Sequence, residues 1–107
     1  MLKSQNVVFL RFLQDGSAIS YFLTFGGSDL DIATDMDFYG SNVYFCGYSN
    51  RLGGGTTFDA FVVSIVKSTG ATNWVRKLGT DNSEISFGLG VNPLNGDVFI
   101  GSTTDRV

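Results

Sequence analysis

Asp35 and Asp37 are the side chains in this sequence best spaced for chemistry. Residues i and i+2 of an extended strand point the same way, so the two carboxylates share one face. Such a pair can hold a ligand or a water network, and at a suitable separation it can do acid–base work on a glycosidic bond. Asp29 and Asp31 precede them and offer the hard oxygens that calcium takes. They follow Gly26-Gly27, however, where aspartates cap turns. The parallel stretch later in the chain has Asp81 and Glu84, which match neither a calcium loop nor a fixed spacing. No metal is therefore expected at Asp29 and Asp31, and Asp35 and Asp37 are the binding candidates.

Other chemistry is thinly represented. The sequence contains no histidine, which removes the commonest general base and zinc ligand. Cys46 is the single cysteine, so no disulfide forms within the chain, and its apolar surroundings fit a packed thiol rather than a nucleophile. Gly53-Gly54-Gly55 lacks the Lys-Ser/Thr pair of a phosphate loop and reads as a flexible connection. With no catalytic motif the chain is not expected to be an enzyme, and no cofactor is expected. Seven Lys and Arg against ten Asp and Glu leave a net charge of −3. No basic stripe is present to draw nucleic acid or an anionic membrane. The apolar run at 7–13 is interrupted by Arg11 and no small-residue cleavage site follows it. It reads as a strand, not as a signal peptide or a membrane span.

The elements that must position Asp35 and Asp37 come from an internal repeat. GSNVYFCGYSN at 40–50 is closely matched by NGDVFIGSTTD at 95–105, with Gly47 and Gly101 aligned 54 residues apart (101 − 47). The stretches 32–38 and 85–91 correspond, as do YFLTFG at 21–26 and WVRKLG at 74–79. The stretch 6–16 corresponds to 59–70, with one residue inserted in the second copy. Repeat 1 covers about 5–50 and repeat 2 about 58–105 of one domain, 1–107, with a Gly-rich surface loop at 49–57 between strands. Ile85, Phe87, Leu89 and Val91 alternate with Ser86, Gly88, Gly90 and Asn92, and Ile32, Thr34, Met36 and Phe38 alternate with Ala33, Asp35 and Asp37. That period of two is a strand signal. The runs 7–13 and 61–66 are apolar on both faces, as in strands covered from both sides. Asp15-Gly16, Gly26-Gly27, Gly40-Ser41, Thr69-Gly70 and Asn95-Gly96 mark turns. The expectation is eight strands, four per repeat, and no helix.

Four short antiparallel strands per repeat point to β-propeller blades. The motifs resemble the SBBP-type β-propeller repeat: DAFV at 59–62, Gly70, Trp74, Leu78-Gly79, the strand at 85–92 and GDVFIGST at 96–103. The earlier copy supplies Gly16, Tyr21, Phe25-Gly26-Gly27, Asp31-Ile32-Ala33, Met36-Asp37 and SNVYFCGYS at 41–49. The copies depart from the pattern in Tyr21 for Trp, in Asn6 for Asp and in Gly101, which follows one residue early. Tyr21 and Trp74 share one repeat position, which argues for packing rather than a sugar platform. The resemblance implies a phase in which 32–38, 42–48, 59–66 and 73–78 make a complete blade. The stretches 6–13 and 17–25 are then the outer half of one neighbour, and 85–92 and 97–102 the inner half of another. Asp35 and Asp37 would lie on an innermost strand, facing the axis or the adjacent blade. The resemblance also implies an extracellular or cell-surface location.

Propellers use about four to eight blades, so two repeats alone leave apolar faces open. The chain is expected to be part of a larger propeller, to join copies of itself in a ring, or to fold as a two-sheet sandwich. The leading function is a non-catalytic scaffold or binding surface for protein or carbohydrate. The alternatives are a fragment of a propeller hydrolase or lyase with axial carboxylates, and a self-assembling structural unit. Its partners are further blades, in the same chain or in self-copies, with no nucleic acid and no membrane.

Overall fold

The computed structural model describes residues 6–25, 31–50, 58–78 and 83–104, with only the backbone of Asn50. Among these residues all regular structure is β. The strands are β1 (Val7–Phe12), β2 (Ile19–Phe25), β3 (Asp31–Tyr39), β4 (Asn42–Asn50), β5 (Phe58–Val66), β6 (Thr72–Leu78), β7 (Glu84–Val91) and β8 (Val98–Thr104). β1 pairs with β2 and β7 with β8, while β3, β4, β5 and β6 form one sheet in chain order, all antiparallel. This is the division into two, four and two strands that the resemblance implies. The three sheets remain separate and do not close on one another. Ser49 and Asn50 belong to β4, so the expected loop at 49–57 begins later, and 51–57 lie outside the described residues.

The four described hairpin turns each hold a glycine with positive φ: Gly16, Gly40, Gly70 and Gly96. At Gly96 the need is doubled, because φ is 81° and an added Cβ would sit 2.6 Å from the Tyr39 ring. The β1–β2 hairpin is closed by Leu13 N–H to the Ala18 carbonyl, and the β5–β6 hairpin by Val66 N–H to that of Ala71. The two turns have the same length. The residue read as an insertion before Gly70 is a shift of the glycine within the turn: Gly16 N–H bonds to Leu13, three back, and Gly70 N–H to Val66, four back.

β4 and β5, the central strands of the middle sheet, are largely buried on both faces. On one face Val43, Phe45 and Gly47 stand opposite Ile65, Val63 and Phe61, covered by Val7, Phe9, Leu23 and Phe25 of β1 and β2. Phe45, 2% exposed, is the hub. Its ring stacks on Phe9 at 5.7 Å and meets Phe25 and Phe61 edge-on at 5.0 and 6.2 Å. Burying a side chain of this kind stabilises the fold by roughly 1.5–3 kcal/mol. The opposite face carries Tyr44, Cys46 and Tyr48 against Ser64, Val62 and Ala60, and β7 lies across it. β6, the far strand of the sheet, is mostly exposed.

Matching bulges relate the halves of the chain. In β1–β2 the register shifts between Arg11 and Phe12, and in β5–β6 between Ser64 and Ile65. In β3–β4 it shifts between Ala33 and Asp35, and in β7–β8 between Ser86 and Gly88. Bulges are specific backbone features that re-aim the chain. Here Thr34 and Phe87 are the extra residues, and the strict alternation read through them from sequence is broken. Ala33 shares a face with Met36 and Phe38, while Ile32 shares one with Asp35 and Asp37. The pairing also corrects the glycine alignment. Gly47 pairs with Ala33 and corresponds to Ser102, which pairs with Ser86; Gly101 corresponds to Cys46. A Cβ on Gly47 would collide with the Ile32 carbonyl and lie 2.8 Å from the Phe61 ring, whereas one on Gly101 would meet nothing within 4 Å.

Candidate functional site

The bulge at Thr34 sets the direction of everything after it on β3. It turns Asp35 and Asp37 toward β7, the first strand of the next sheet. Asp35 Oδ1 accepts from the N–H of Met36 at 2.8 Å, and Oδ2 from the N–H of Leu89 at 2.8 Å. Asp37 repeats the pattern one step on, with Phe38 N–H on Oδ1 at 2.8 Å and Val91 N–H on Oδ2 at 3.1 Å. Each carboxylate thus spans two backbones. One oxygen caps the free edge of its own strand and the other caps the edge of the neighbouring strand. Unpaired strand N–H groups need partners, and an ionised carboxylate is a strong acceptor for them.

The neighbouring strand is shaped to receive them. Gly88 stands where β3 has Asp35, and an added Cβ there would lie 3.8 Å from Asp35 Oδ2. Gly90 stands where β3 has Asp37. Below the ladder, the bulged Thr34 donates its hydroxyl to the Ser86 carbonyl at 3.0 Å, and Ser86, fully buried, donates its own to the Gly47 carbonyl. Four side chains therefore fasten the middle sheet to β7. Asp35 is exposed and Asp37 half-buried, so the ladder borders solvent along the facing edges of β3 and β7. An acid–base pair needs oxygens free to exchange a proton with substrate. Each of these four oxygens accepts one backbone N–H and keeps one further lone pair.

The remaining candidates are dispersed. Asp31 begins β3 opposite Ser49 and is half-buried, while Asp29 lies outside the described residues, as do Asp81 and Gly53-Gly54-Gly55. Among the described residues no group of three or more His, Cys, Asp or Glu side chains is placed to hold a metal ion. Cys46 is fully buried, its sulfur 3.5 Å from the Thr34 hydroxyl. Tyr21 and Trp74 do occupy equivalent places, opposite Arg11 and Ser64. Each ring carries an arginine, Arg11 at 5.9 Å and Arg76 at 5.6 Å, and the Tyr21 hydroxyl donates to the Lys67 carbonyl at 2.9 Å.

Sequence reasoning expected open apolar faces but did not place the groove beside β1. It runs over β3 in two recesses of about 350 and 270 Å³, floored by Met36, Phe38, Val43 and Phe45 and walled by Phe9. Met36 and Phe38 are 43% and 55% exposed there. The alternation of Met36 and Phe38 with two aspartates was the available signal. It marked a strand with one apolar face, but not which part of that face lies open. No family model matches this chain, and no curated protein matches it significantly.

Proposed function

We propose that the chain is a β-propeller segment and that it works as a non-catalytic scaffold presenting a binding surface for protein or carbohydrate. In this reading β3–β6 are a complete blade, β1–β2 the outer half of the blade before it and β7–β8 the inner half of the blade after it. One observation carries the scaffold role: each oxygen of Asp35 and Asp37 accepts a backbone N–H, and together they tie two adjacent strands. The acidic pair does the work of a fastener. The matched bulges and the lateral contact of β3 with β7 support the radial arrangement. The solvent-bordering rim beside the ladder is the surface offered to a ligand.

The test pairs turnover with binding. The chain is incubated with a panel of polysaccharides and glycosides, products are followed by reducing-end assay and by absorbance of unsaturated sugars, and binding to the same panel and to peptides is read by calorimetry. Binding without turnover is the expected result. Turnover that disappears in the Asp35→Asn, Asp37→Asn double variant while the melting temperature holds would replace this reading with the hydrolase or lyase one.

A further inference from the structure

We infer that β8 of one copy of this chain pairs with β1 of a second copy, completing a four-stranded sheet β7–β8–β1–β2 across the junction. The inference rests on the blade reading above and gives it a partner. Among the described residues β1 is bonded only to β2, and β8 only to β7, so each of these sheets shows one open strand edge there. Open edges are templates for pairing with another chain. The middle sheet shows how these two would pair. The bulges equate β4 with β8 and β5 with β1, and β4 and β5 are paired in the chain itself.

That internal pair supplies the register. Phe45 opposite Val63 becomes Ile100 opposite Leu10, Val43 opposite Ile65 becomes Val98 opposite Phe12, and Gly47 opposite Phe61 becomes Ser102 opposite Val8. Leu10, Phe12 and Val8 are exposed in the single chain, and in this register they extend the apolar row begun by Val98 and Ile100. On the other face, Tyr44 touching Trp74 at 6.0 Å becomes Phe99 touching Tyr21. Phe99 is 63% exposed in the single chain.

The same docking fills the groove. A β7–β8 hairpin continuing the β1–β2 sheet lies over Met36 and Phe38, as the β3–β4 hairpin lies beside β5. The edge chemistry agrees. At the junction the incoming β7 brings Gly88 and Gly90 to β3 in place of aspartates. The Met36 and Phe38 N–H groups do not need them, because Asp35 and Asp37 of the same strand already accept from both. Each two-repeat unit therefore carries the acceptors for the facing edges of its own β3 and β7, and the junction requires none. A ring of about four to eight blades corresponds to about two to four copies, joined head to tail by one repeated interface that closes.

The experiment uses the full chain. Native mass spectrometry and light scattering are expected to find a discrete assembly of about two to four copies. A Leu10→Cys, Ile100→Cys variant is expected to give an interchain disulfide ladder on a non-reducing gel. A Leu10→Cys, Phe99→Cys variant, which places the thiols on opposite faces, is expected to give none. A monomer at high micromolar concentration overturns the inference, as does cross-linking in the second variant but not the first. The scaffold reading survives that outcome, whereas carboxylate-dependent turnover sinks the scaffold reading and leaves the assembly untouched.

Discussion

Replacing both Asp35 and Asp37 by Asn tests the fastener directly. The substitution keeps shape and one carbonyl oxygen per residue but turns the second acceptor into a donor. Each Asn then satisfies one of the two N–H groups and faces the other with an NH2. The bonds at stake are those to Leu89 and Val91, at 2.8 and 3.1 Å, and to Met36 and Phe38, both at 2.8 Å. Hydrogen bonds to charged groups contribute about 1.5–3 kcal/mol when sheltered. Water can replace much of that at exposed Asp35 and less at half-buried Asp37. The expected cost is about 0.5–1 kcal/mol at Asp35 and about 1–1.5 kcal/mol at Asp37. The double variant should lose about 2 kcal/mol, with some departure from additivity because the two share one ladder. Urea unfolding at fixed protein concentration measures the total, and hydrogen exchange locates it, with the Leu89 and Val91 amides speeding up most. Unchanged stability and exchange, together with loss of a bound ligand, would refute the fastener and make the pair a ligand site.

Other substitutions probe the packing. Gly47→Ala should destabilise by about 1–3 kcal/mol, since its Cβ meets the Ile32 carbonyl and the Phe61 ring. Gly101→Ala should stay within about 0.5 kcal/mol of the parent, and thermal melts of the two variants decide the register. Phe45→Ala removes the hub between the first two sheets and should cost about 3–5 kcal/mol in chemical denaturation. The Ser17 hydroxyl and the Ser17 N–H hold the Asp15 carboxyl below its ordinary range. A lowered carboxyl stabilises the fold above its unfolded-state pKa and loses that contribution as pH falls through the folded value. Carbon-detected NMR titration should show Asp15 titrating low, and Ser17→Ala should raise it.

Much of the fold was legible because each strand declares itself. Val, Phe and Ile runs bounded by Asp-Gly, Gly-Ser and Asn-Gly leave little choice but antiparallel hairpins. The repeat alone groups the strands four and four; the division into two, four and two comes from the phase that the resemblance implies. The bulges were not legible. One extra residue at Thr34 or Phe87 changes no composition and leaves a plausible alternation, yet it switches the face of every residue on one side of it. For the same reason the resemblance of Gly47 to Gly101 pointed to the wrong partner. The shared face of Asp35 and Asp37 was visible in their spacing. Their destination was not, because the groups they bind are backbone N–H of Leu89 and Val91, which every residue but proline possesses. Only Gly88 and Gly90 hinted at it, as places where the next strand keeps clear.

The most direct measurement is long-range hydrogen-bond scalar coupling by NMR on uniformly 13C,15N-labelled protein. The Leu89 amide nitrogen should couple to the side-chain carboxylate carbon of Asp35, and that of Val91 to the carboxylate carbon of Asp37. Carboxylates that show no such coupling, with both amides bonded to backbone carbonyls instead, would contradict the account.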